Sequence, residues 1–209
     1  MNQNKIYFFY FTCLFLFIGS LNAQEKNALK GYKILFVGNS LTSSNNLPLL
    51  VSQAASDEQI IISTEILAKP NYALIDHWEE GLLQEKIRSK SFDFVIVQQG
   101  PSSQPEGRKL LFESIEKLNR ICQENQCHLA VFMVWPSKQY YQTFDKVIKN
   151  HREVAEKYNT LLCPVGEIWK AHFDKTKEFD YYSSDGFHPS EKGSQVAAQI
   201  IVDSLFEQL

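Results

Sequence analysis

The sequence predicts one α/β domain, built as a three-layer α/β/α sandwich around a five-stranded parallel sheet. Short apolar runs alternate with longer amphipathic segments, which is the pattern of a parallel sheet covered by helices on both faces. No internal repeat, low-complexity tract or long linker interrupts this alternation. The length of 209 residues, 44% of them hydrophobic, suits a single compact core.

The apolar runs give five strands, each short enough to lie within a buried sheet. The strands are predicted at Lys33–Val37, Ile60–Leu67, Asp93–Gln98, Leu129–Trp135 and Thr160–Pro164. Between them, apolar residues recur at helical spacing, as Leu111, Ile115, Leu118 and Cys122 do. Helices are therefore predicted at Pro48–Ser56, Leu74–Ser89, Gly107–Gln123, Tyr140–Tyr158 and from about Ser190 to Gln208.

The N-terminal segment differs in composition from the rest of the chain. Lys5 is followed by an unbroken apolar run, Ile6–Ile18, and then by small residues that end at Ala23. This is the pattern of an export signal that is cut after Ala23. The run is shorter than the ~20 apolar residues of a spanning helix, and an uncleaved anchor is the alternative. The sequence thus predicts a signal peptide over residues 1–23, a domain over residues 24–209, a periplasmic or secreted location and no membrane span after signal removal.

Charge and ligand chemistry narrow the expected partners. The 21 basic and 24 acidic residues are interspersed and leave a formal net charge of −3. With no basic stripe to follow a phosphate backbone, nucleic acid is not expected as a partner. The five histidines are scattered and no Cys-x-x-Cys pair occurs, so the sequence predicts no metal site and no cofactor.

The cysteines beyond the predicted signal allow two interpretations. In an oxidising compartment, Cys122 and Cys127 could close a small disulfide loop across a polar turn. Two unpaired thiols are the alternative. Cys163 lies in an apolar stretch and is expected to be buried and inert.

Small polar residues cluster where the predicted strands end. Ligands of open parallel sheets bind at the carboxyl edge of the strands, so these clusters are expected to line one crevice. The clusters are Gly38–Thr42 after strand one, Lys69–Tyr72 after strand two, Gln98–Ser102 after strand three and Ser184–Pro189 before the last helix.

Two of these clusters contain the residue types of nucleophilic catalysis. Ser40 lies in a tight turn between a strand and a helix, which exposes its hydroxyl among free backbone N–H groups. A serine hydroxyl needs a base to take its proton and a group to orient that base. In Asp185-x-x-His188, the carboxylate can accept the imidazole Nδ1–H and leave Nε2 facing the hydroxyl. Taken alone, each cluster is also an ordinary turn, with Ser190 capping the final helix. A shared crevice is what favours catalysis.

The block Gly38-Asn39-Ser40-Leu41-Thr42 near one end and Asp185-x-x-His188-Pro189 near the other resemble the SGNH/GDSL hydrolase superfamily. In that superfamily the first block reads Gly-Asp-Ser-Leu, and Asn39 replaces the usual aspartate. The resemblance implies a flavodoxin-like sandwich and ester hydrolysis. It also implies that Ser40 is the nucleophile, His188 the general base and Asp185 its orienting acid.

The residues that form the oxyanion hole in the superfamily are less well matched in this sequence. Its donors are the serine N–H, a glycine N–H after strand two and an asparagine side chain after strand three. Here Pro70 cannot donate, so Asn71 is the candidate, through its backbone or its amide. Gln98 is the candidate after strand three, in a Gln-rich block that resembles the subgroup with a His-Trp pair, here His77-Trp78. The resemblance therefore supports the triad better than the oxyanion hole.

Several other side chains are open to two interpretations. His77 and Trp78 fit helix packing better than substrate contact, and Trp135 suits either a core or a sugar-stacking position. Ser102 and Ser103 could hydrogen-bond a substrate. His151 and His172 are expected to be exposed on helices.

The sequence favours an exported serine hydrolase that cleaves a carboxylic ester, such as an O-acetylated carbohydrate, through an acyl-enzyme on Ser40. One alternative is a non-catalytic carbohydrate-binding relative that keeps the three triad residues. Another is a flavodoxin-like phosphate or flavin binder, because Ser40, Thr42, Ser43 and Ser44 form a hydroxyl-rich loop.

Overall fold

The computed structural model describes residues 31–206, and the predicted signal peptide lies outside them. The predicted α/β/α sandwich is confirmed. Its five strands are β1 (Gly31–Gly38), β2 (Ile61–Ala68), β3 (Phe94–Val97), β4 (His128–Phe132) and β5 (Leu161–Cys163). They form one parallel sheet in the order β2-β1-β3-β4-β5. The order reverses between β1 and β3, which is where a doubly wound sheet opens a crevice at its carboxyl edge.

Alternating side chains of the central strands supply two hydrophobic cores, one on each face of the sheet. On β1, Ile34 and Phe36 point to one core, while Leu35 and Val37 point to the other, and all four are fully buried. Strands buried on both faces read as continuous apolar runs rather than as alternating patterns. This is why the central strands could be located from the sequence.

Eight α-helices lie between residues 31 and 206. They are α1 (Ser40–Ser43), α2 (Leu47–Asp57), α3 (Leu74–Glu80), α4 (Leu82–Ser89), α5 (Pro105–Glu124), α6 (Phe144–Tyr158), α7 (Val165–Thr176) and α8 (Glu191–Phe206). Helices α2, α7 and α8 contribute to the first core, and α3, α4 and α5 to the second. Helix α6 packs against α5 and α7 beside the β5 edge.

Three helical segments differ from the prediction. The helix predicted over Leu74–Ser89 divides at Gly81, whose φ of 80° lies in the left-handed region that ends helices. The predicted start at Tyr140 belongs to a 3₁₀ segment, Lys138–Thr143, that precedes α6. Helix α7 was not predicted, although Val165, Trp169 and Phe173 recur every four residues and are buried.

The prediction that His151 is exposed is wrong. His151 is fully buried on α6, and its Nδ1 lies 2.8 Å from the Val147 carbonyl oxygen. Burial lowers the pKa of its imidazole to about 4, which keeps the ring neutral. His172 is half-buried rather than exposed, and its Nε2 lies 2.8 Å from an Asp180 carboxylate oxygen.

The three cysteines of the described range are free thiols and all are buried. The Cys127 thiol lies 3.5 Å from the Cys122 carbonyl oxygen, so the structure contains the unpaired alternative rather than the disulfide loop. Burial raises the pKa of Cys163 to about 12, which makes this thiol unreactive as a nucleophile.

None of the helices between residues 31 and 206 is both long and apolar enough to cross a membrane. In the same range, no group of three or more histidine, cysteine, aspartate or glutamate side chains is arranged to hold a metal ion.

Candidate active site

Ser40 begins the short helix α1 directly after β1. Asn39 caps this helix, because its side-chain oxygen accepts the Leu41 N–H at 3.1 Å. The Asn39 carbonyl accepts the N–H groups of Thr42 and Ser43, at 3.0 and 3.1 Å. With these donors engaged, the Ser40 N–H is the N-terminal donor of α1 that remains for a ligand.

Gly38 lets the loop fold closely onto β3. A Cβ added at Gly38 would stand 2.5 Å from the Gln98 side-chain oxygen and even closer to the Thr42 hydroxyl. That oxygen accepts the Asn39 N–H at 3.0 Å and the Thr42 hydroxyl at 2.9 Å. Gln98 therefore anchors the loop that carries Ser40, and only glycine at position 38 leaves room for this contact.

The three predicted triad residues meet at the carboxyl edge of the sheet. The His188 Nε2 lies 3.0 Å from the Ser40 Oγ, although the two residues are far apart in sequence. The His188 Nδ1 lies 2.6 Å from the Asp185 Oδ2. When the Nδ1–H donates to the carboxylate, Nε2 carries the lone pair that accepts the Ser40 hydroxyl proton. This is the geometry of a base poised to activate a serine.

The second oxygen of Asp185 fixes the turn itself. Its Oδ1 accepts the Ser183 hydroxyl at 2.7 Å and the backbone N–H groups of Phe187 and His188 at 2.8 and 2.9 Å. The His188 hydrogen bond, with the Ser183 and backbone donors, holds the pKa of Asp185 far below its ordinary value. Asp185 is thus ionised and orients the imidazole while remaining half exposed.

Buried residues support the turn that carries Asp185 and His188. The Trp135 indole N–H donates to the Phe187 carbonyl at 2.9 Å, and Trp135 stacks on Trp169 with ring centroids 3.5 Å apart. The Gly186 carbonyl accepts the Lys138 N–H at 2.7 Å. Of the two positions that the sequence allows for Trp135, the structure therefore contains the core one, since its side chain is 1% exposed.

Asn45 connects the serine loop to the histidine loop. Its amide donates to the Pro189 carbonyl at 3.1 Å and to the Ser194 hydroxyl at 2.9 Å. Asn45 has a φ of 52°, in the left-handed region that asparagine tolerates better than most residues. Sequence reasoning did not find Asn45, because its partners follow it by more than 140 residues.

Asn71 takes the backbone conformation that a glycine would adopt. Its φ of 63° is left-handed, in the turn closed by the Tyr72 N–H donating to the Lys69 carbonyl at 3.2 Å. The Tyr72 carbonyl accepts the Asn39 side-chain N–H at 3.1 Å, which joins this turn to the serine loop. The Asn71 side chain itself is exposed, in a surface cavity shared with Asp76 and Glu80.

In the Gln98 side-chain amide, the oxygen is hydrogen-bonded and the nitrogen is not. Gln98 is fully buried, its oxygen anchors the serine loop, and its Nε2 has no acceptor among residues 31–206. A buried N–H without an acceptor is costly, and this one is available to a developing negative charge nearby. Its role as an oxyanion donor stays a prediction, as does that of Asn71.

The remaining predicted side chains are buried or half-buried. His77 is buried, and its Nε2 donates to the Gly38 carbonyl at 2.7 Å, so it supports the end of β1 rather than meeting substrate. Trp78 is half-buried against the second core. The Ser102 hydroxyl donates to the Gly100 carbonyl at 2.9 Å and is also buried, whereas Ser103 lies at the edge of a surface cavity.

The hydroxyl-rich loop offers little to a phosphate or flavin. The Thr42 hydroxyl donates to Gln98, the Ser44 hydroxyl donates to the Ser40 carbonyl at 2.6 Å, and the Ser40 hydroxyl faces His188. These groups are engaged within the protein, which weighs against the anion-binding alternative.

Comparisons with known proteins concern the fold. No protein-family model matches the chain, and no curated protein is detectably similar to it in sequence. Among solved structures, a candidate SGNH hydrolase from Slackia heliotrinireducens superposes with a TM-score of 0.73 at 20% identity, covering 84% of this chain and 100% of the other. A lipase/acylhydrolase from Enterococcus faecalis gives a TM-score of 0.67 at 16% identity, covering 85% of this chain and 97% of the other.

A catalytic mutant of an acetylxylan esterase from Geobacillus stearothermophilus gives a TM-score of 0.66 at 13% identity, over 84% of this chain and 94% of the other. At such identities the similarity concerns the architecture, and it extends over nearly the whole length of each of these proteins. The chain therefore has the fold of the SGNH hydrolases.

Proposed function

We propose that this protein is a serine hydrolase that cleaves a carboxylic ester through an acyl-enzyme on Ser40. The observation that carries the proposal is the chain of contacts from Asp185 through His188 to Ser40, at 2.6 and 3.0 Å. Serine-based hydrolysis by a Ser-His-Asp triad uses these three groups in this order of contacts.

The first half-reaction forms the acyl-enzyme. The His188 Nε2 removes the hydroxyl proton as the Ser40 Oγ attacks the ester carbonyl carbon. The carbonyl oxygen becomes an oxyanion, and Asp185 stabilises the imidazolium. The C–O bond to the alcohol then breaks as His188 returns the proton to the leaving oxygen, which releases the alcohol and leaves Ser40 acylated.

The second half-reaction hydrolyses that intermediate. His188 removes a proton from water, the hydroxide adds to the acyl carbon, and the carboxylic acid leaves as Ser40 regains its proton. In both halves the oxyanion is stabilised by the Ser40 N–H, the Asn71 backbone N–H and the Gln98 amide Nε2–H. The free N–H of Ser40 and the unpaired Nε2 of Gln98 support this assignment.

The proposed substrate is a polar ester, such as an O-acetylated carbohydrate, acted on outside the cytoplasm. The N-terminal segment Lys5–Ala23 has the pattern of an export signal, and one structural neighbour is named as an acetylxylan esterase. Cleavage after Ala23 can be checked by N-terminal sequencing of the protein secreted from its host.

The test of the proposal is labelling with a fluorophosphonate, followed by peptide mass spectrometry and turnover of 4-nitrophenyl acetate. The parent protein is expected to carry one adduct, on Ser40, and to hydrolyse the acetate. Ser40→Ala should lose the adduct and about 10⁴-fold or more in kcat. Ser43→Ala, which changes an exposed serine on the same helix, is the matched control.

The parent protein could be labelled, and Ser40→Ala unlabelled, without turnover of any ester. That result would indicate an activated serine in a protein whose oxyanion hole is defective. Carbohydrate binding without labelling would indicate the non-catalytic relative. Equal turnover by the parent and Ser40→Ala would end the proposal.

A further inference from the structure

Strand β2 lies at an edge of the sheet and is paired on one side only. Its partner is β1, and no other residue between 31 and 206 forms a backbone hydrogen bond along its outer side. The Lys69 N–H donates to the Gly38 carbonyl at 3.2 Å, so the odd-numbered residues of β2 direct their backbone groups toward β1. The backbone groups that face outward therefore belong to the even-numbered residues, which are Ile62, Thr64, Ile66 and Ala68.

This edge lacks most of the features that keep edge strands apart. Sheet edges are ordinarily blocked by proline, by bulges or by charged side chains. Strand β2 has no proline, pairs with β1 in one continuous register and carries a single charged residue, Glu65. Lys86 and Lys90 of α4 already neutralise that carboxylate, at 3.0 and 2.5 Å. Ile61 and Ile66 are 52% and 45% exposed, so apolar side chains lie along the open edge.

The strand is complementary to a second copy of itself in one antiparallel register. Residues with outward backbone groups must lie opposite one another to exchange N–H···O bonds, which limits the registers available. When Thr64 faces Thr64 of the second copy, Ile62 faces Ile66, and both kinds of cross-strand pair are favourable. A register centred on Glu65 would instead place like charges opposite each other. Registers centred nearer either end of the strand would pair fewer residues.

The other face of the same register brings unlike charges together. There Ser63 lies opposite Glu65 of the second copy, and Lys33 of β1 is the neighbour of Ser63 within the chain. Lys33 is exposed, and its side chain has no ion pair among the described residues. Lys33, Ser63 and Lys90 line a surface cavity of about 540 Å³. Two strand spacings of about 4.8 Å separate Lys33 from the incoming glutamate, a gap that the two side chains span together.

We infer that the protein forms a two-fold symmetric dimer in which β2 pairs antiparallel with β2 of a second copy, centred on Thr64. One sheet then runs through both chains, and each contact repeats on both sides of the axis, as a closed dimer requires. The carboxyl edges of the two half-sheets point in opposite directions, which leaves both candidate active sites open. The inference does not depend on the proposed hydrolase activity.

The first experiment measures the mass of the chain without its predicted signal peptide by analytical ultracentrifugation. At about 0.1 mM protein, where micromolar contacts are saturated, we expect twice the mass of one chain. Thr64→Pro removes an outward N–H on the axis without taking a donor from the β1 ladder, so it should give monomers. Thr64→Val keeps that N–H and a β-branched side chain, and it should remain a dimer.

A second variant covers the case in which the proline unfolds the chain, which circular dichroism would show. Ile66→Lys places a charge opposite Ile62 of the second copy and should also give monomers. Ile168→Lys is the matched control, because Ile168 is a 42% exposed isoleucine on α7, which packs against α6. It should leave the dimer intact.

The register is tested by cross-linking. On the axis, the Cα atoms of a hydrogen-bonded pair lie about 5.5 Å apart, within the range that a disulfide spans. Thr64→Cys should therefore form an interchain disulfide when oxidised glutathione takes up the two electrons and two protons of the paired thiols. Glu65→Cys is the control, since its counterpart in the second copy lies two residues further along the strand. The three native cysteines of the described range are buried.

Three results would overturn the inference. One is a monomeric parent at every concentration, and another is a dimer that survives both Thr64→Pro and Ile66→Lys. The third is cross-linking of Glu65→Cys in place of Thr64→Cys. If a chain that begins at Gly31 dimerises and the longer chain does not, residues 24–30 cover the edge and the assignment to a second copy is wrong.

Discussion

The two sides of the candidate site are built in different ways. On the proton-transfer side, the Ser40, Asp185 and His188 side chains touch one another, and every oxygen of Asp185 is engaged. On the oxyanion side, the proposed donors are the Ser40 N–H, the backbone N–H of Asn71 and the free amide N–H of Gln98. The first side is a set of side-chain contacts, whereas the second depends on how three loops are folded.

This difference explains why substitutions can be tolerated on the oxyanion side but not on the proton-transfer side. A carboxylate three residues before a histidine meets it in a single turn, so the residue types themselves are required. A backbone N–H can be supplied by any residue that adopts the necessary φ, as Asn71 does in place of glycine. The following variants test this contrast.

The largest effect is expected for Asp185→Asn. The asparagine amide cannot act as the carboxylate that accepts the His188 Nδ1–H and stabilises the imidazolium, so kcat for 4-nitrophenyl acetate should fall about 10⁴-fold. Asp203→Asn, the same change on α8 away from the site, is the control. A loss below about tenfold would show that the imidazole is oriented by something other than Asp185.

The next largest effect is expected for Gln98→Glu. The glutamate keeps an acceptor for the Asn39 N–H and Thr42 hydroxyl but lacks the Nε2–H donors, so kcat should fall ~10²–10³-fold. Gln99→Glu is a close control, because Gln99 is also buried and accepts the Leu74 N–H through its side-chain oxygen.

Circular dichroism would show that both glutamine variants fold, and Gln98→Met provides a neutral alternative if the buried carboxylate unfolds the chain. If Gln98→Glu retains kcat within threefold, Gln98 only anchors the serine loop. The oxyanion side would then consist of backbone groups alone.

A moderate effect is expected for Asn45→Asp. Aspartate also tolerates the left-handed backbone but cannot donate to Pro189 or Ser194, so the serine and histidine loops lose their connection. We expect kcat and the fluorophosphonate labelling rate to fall together by up to about 30-fold, with KM little changed, since two hydrogen bonds of about 1 kcal/mol each are lost.

Asn46→Asp is the control for that variant, because Asn46 has a similar φ of 54° and its side chain makes no cap hydrogen bond. Equal losses in both variants would show an effect of charge on the loop. A purely structural role for Asn45 would lower the melting temperature without lowering the labelling rate of the folded protein.

The smallest effect is expected for Asn71→Gly. Glycine keeps the backbone N–H and suits the φ of 63°, so kcat should stay within about threefold and stability should not fall. Asn71→Ala removes the same amide but puts a Cβ in the left-handed region, at a cost of about 1–2 kcal/mol, which thermal denaturation would detect. A hundredfold loss of kcat in Asn71→Gly would instead assign the oxyanion contact to the side-chain amide.

The sequence was informative where interacting residues are neighbours in the chain, or where a strand is buried along its whole length. The central strands β1, β3 and β4 could be located because their side chains are buried on both faces, and the Asp185-His188 turn because it closes within four residues. His151 was misplaced although it shares an apolar face of α6 with Val147 and Val154, since polar residues on such a face are ordinarily assigned to solvent.

The contacts that join distant segments could not be predicted. Nothing near Asn45 in the sequence indicates Pro189 or Ser194, and nothing near Trp135 indicates that its indole N–H binds the Phe187 carbonyl. Such partners depend on how α8 and the preceding turn pack on the sheet. The conformation of Asn71 likewise depends on the turn after β2 rather than on its residue type alone.

The packing of α2 against α8 brings the two distant parts of the candidate site together. The serine is near the beginning of the domain and its proton acceptor near the end, and the two meet only after the last helix has docked beside the first long one. A polypeptide still leaving the ribosome, or one clipped before Glu191, would carry the nucleophile without the packing that brings the base to it. The proposed hydrolysis would then begin only after α8 has packed beside α2, and a simple ester assay would report that event.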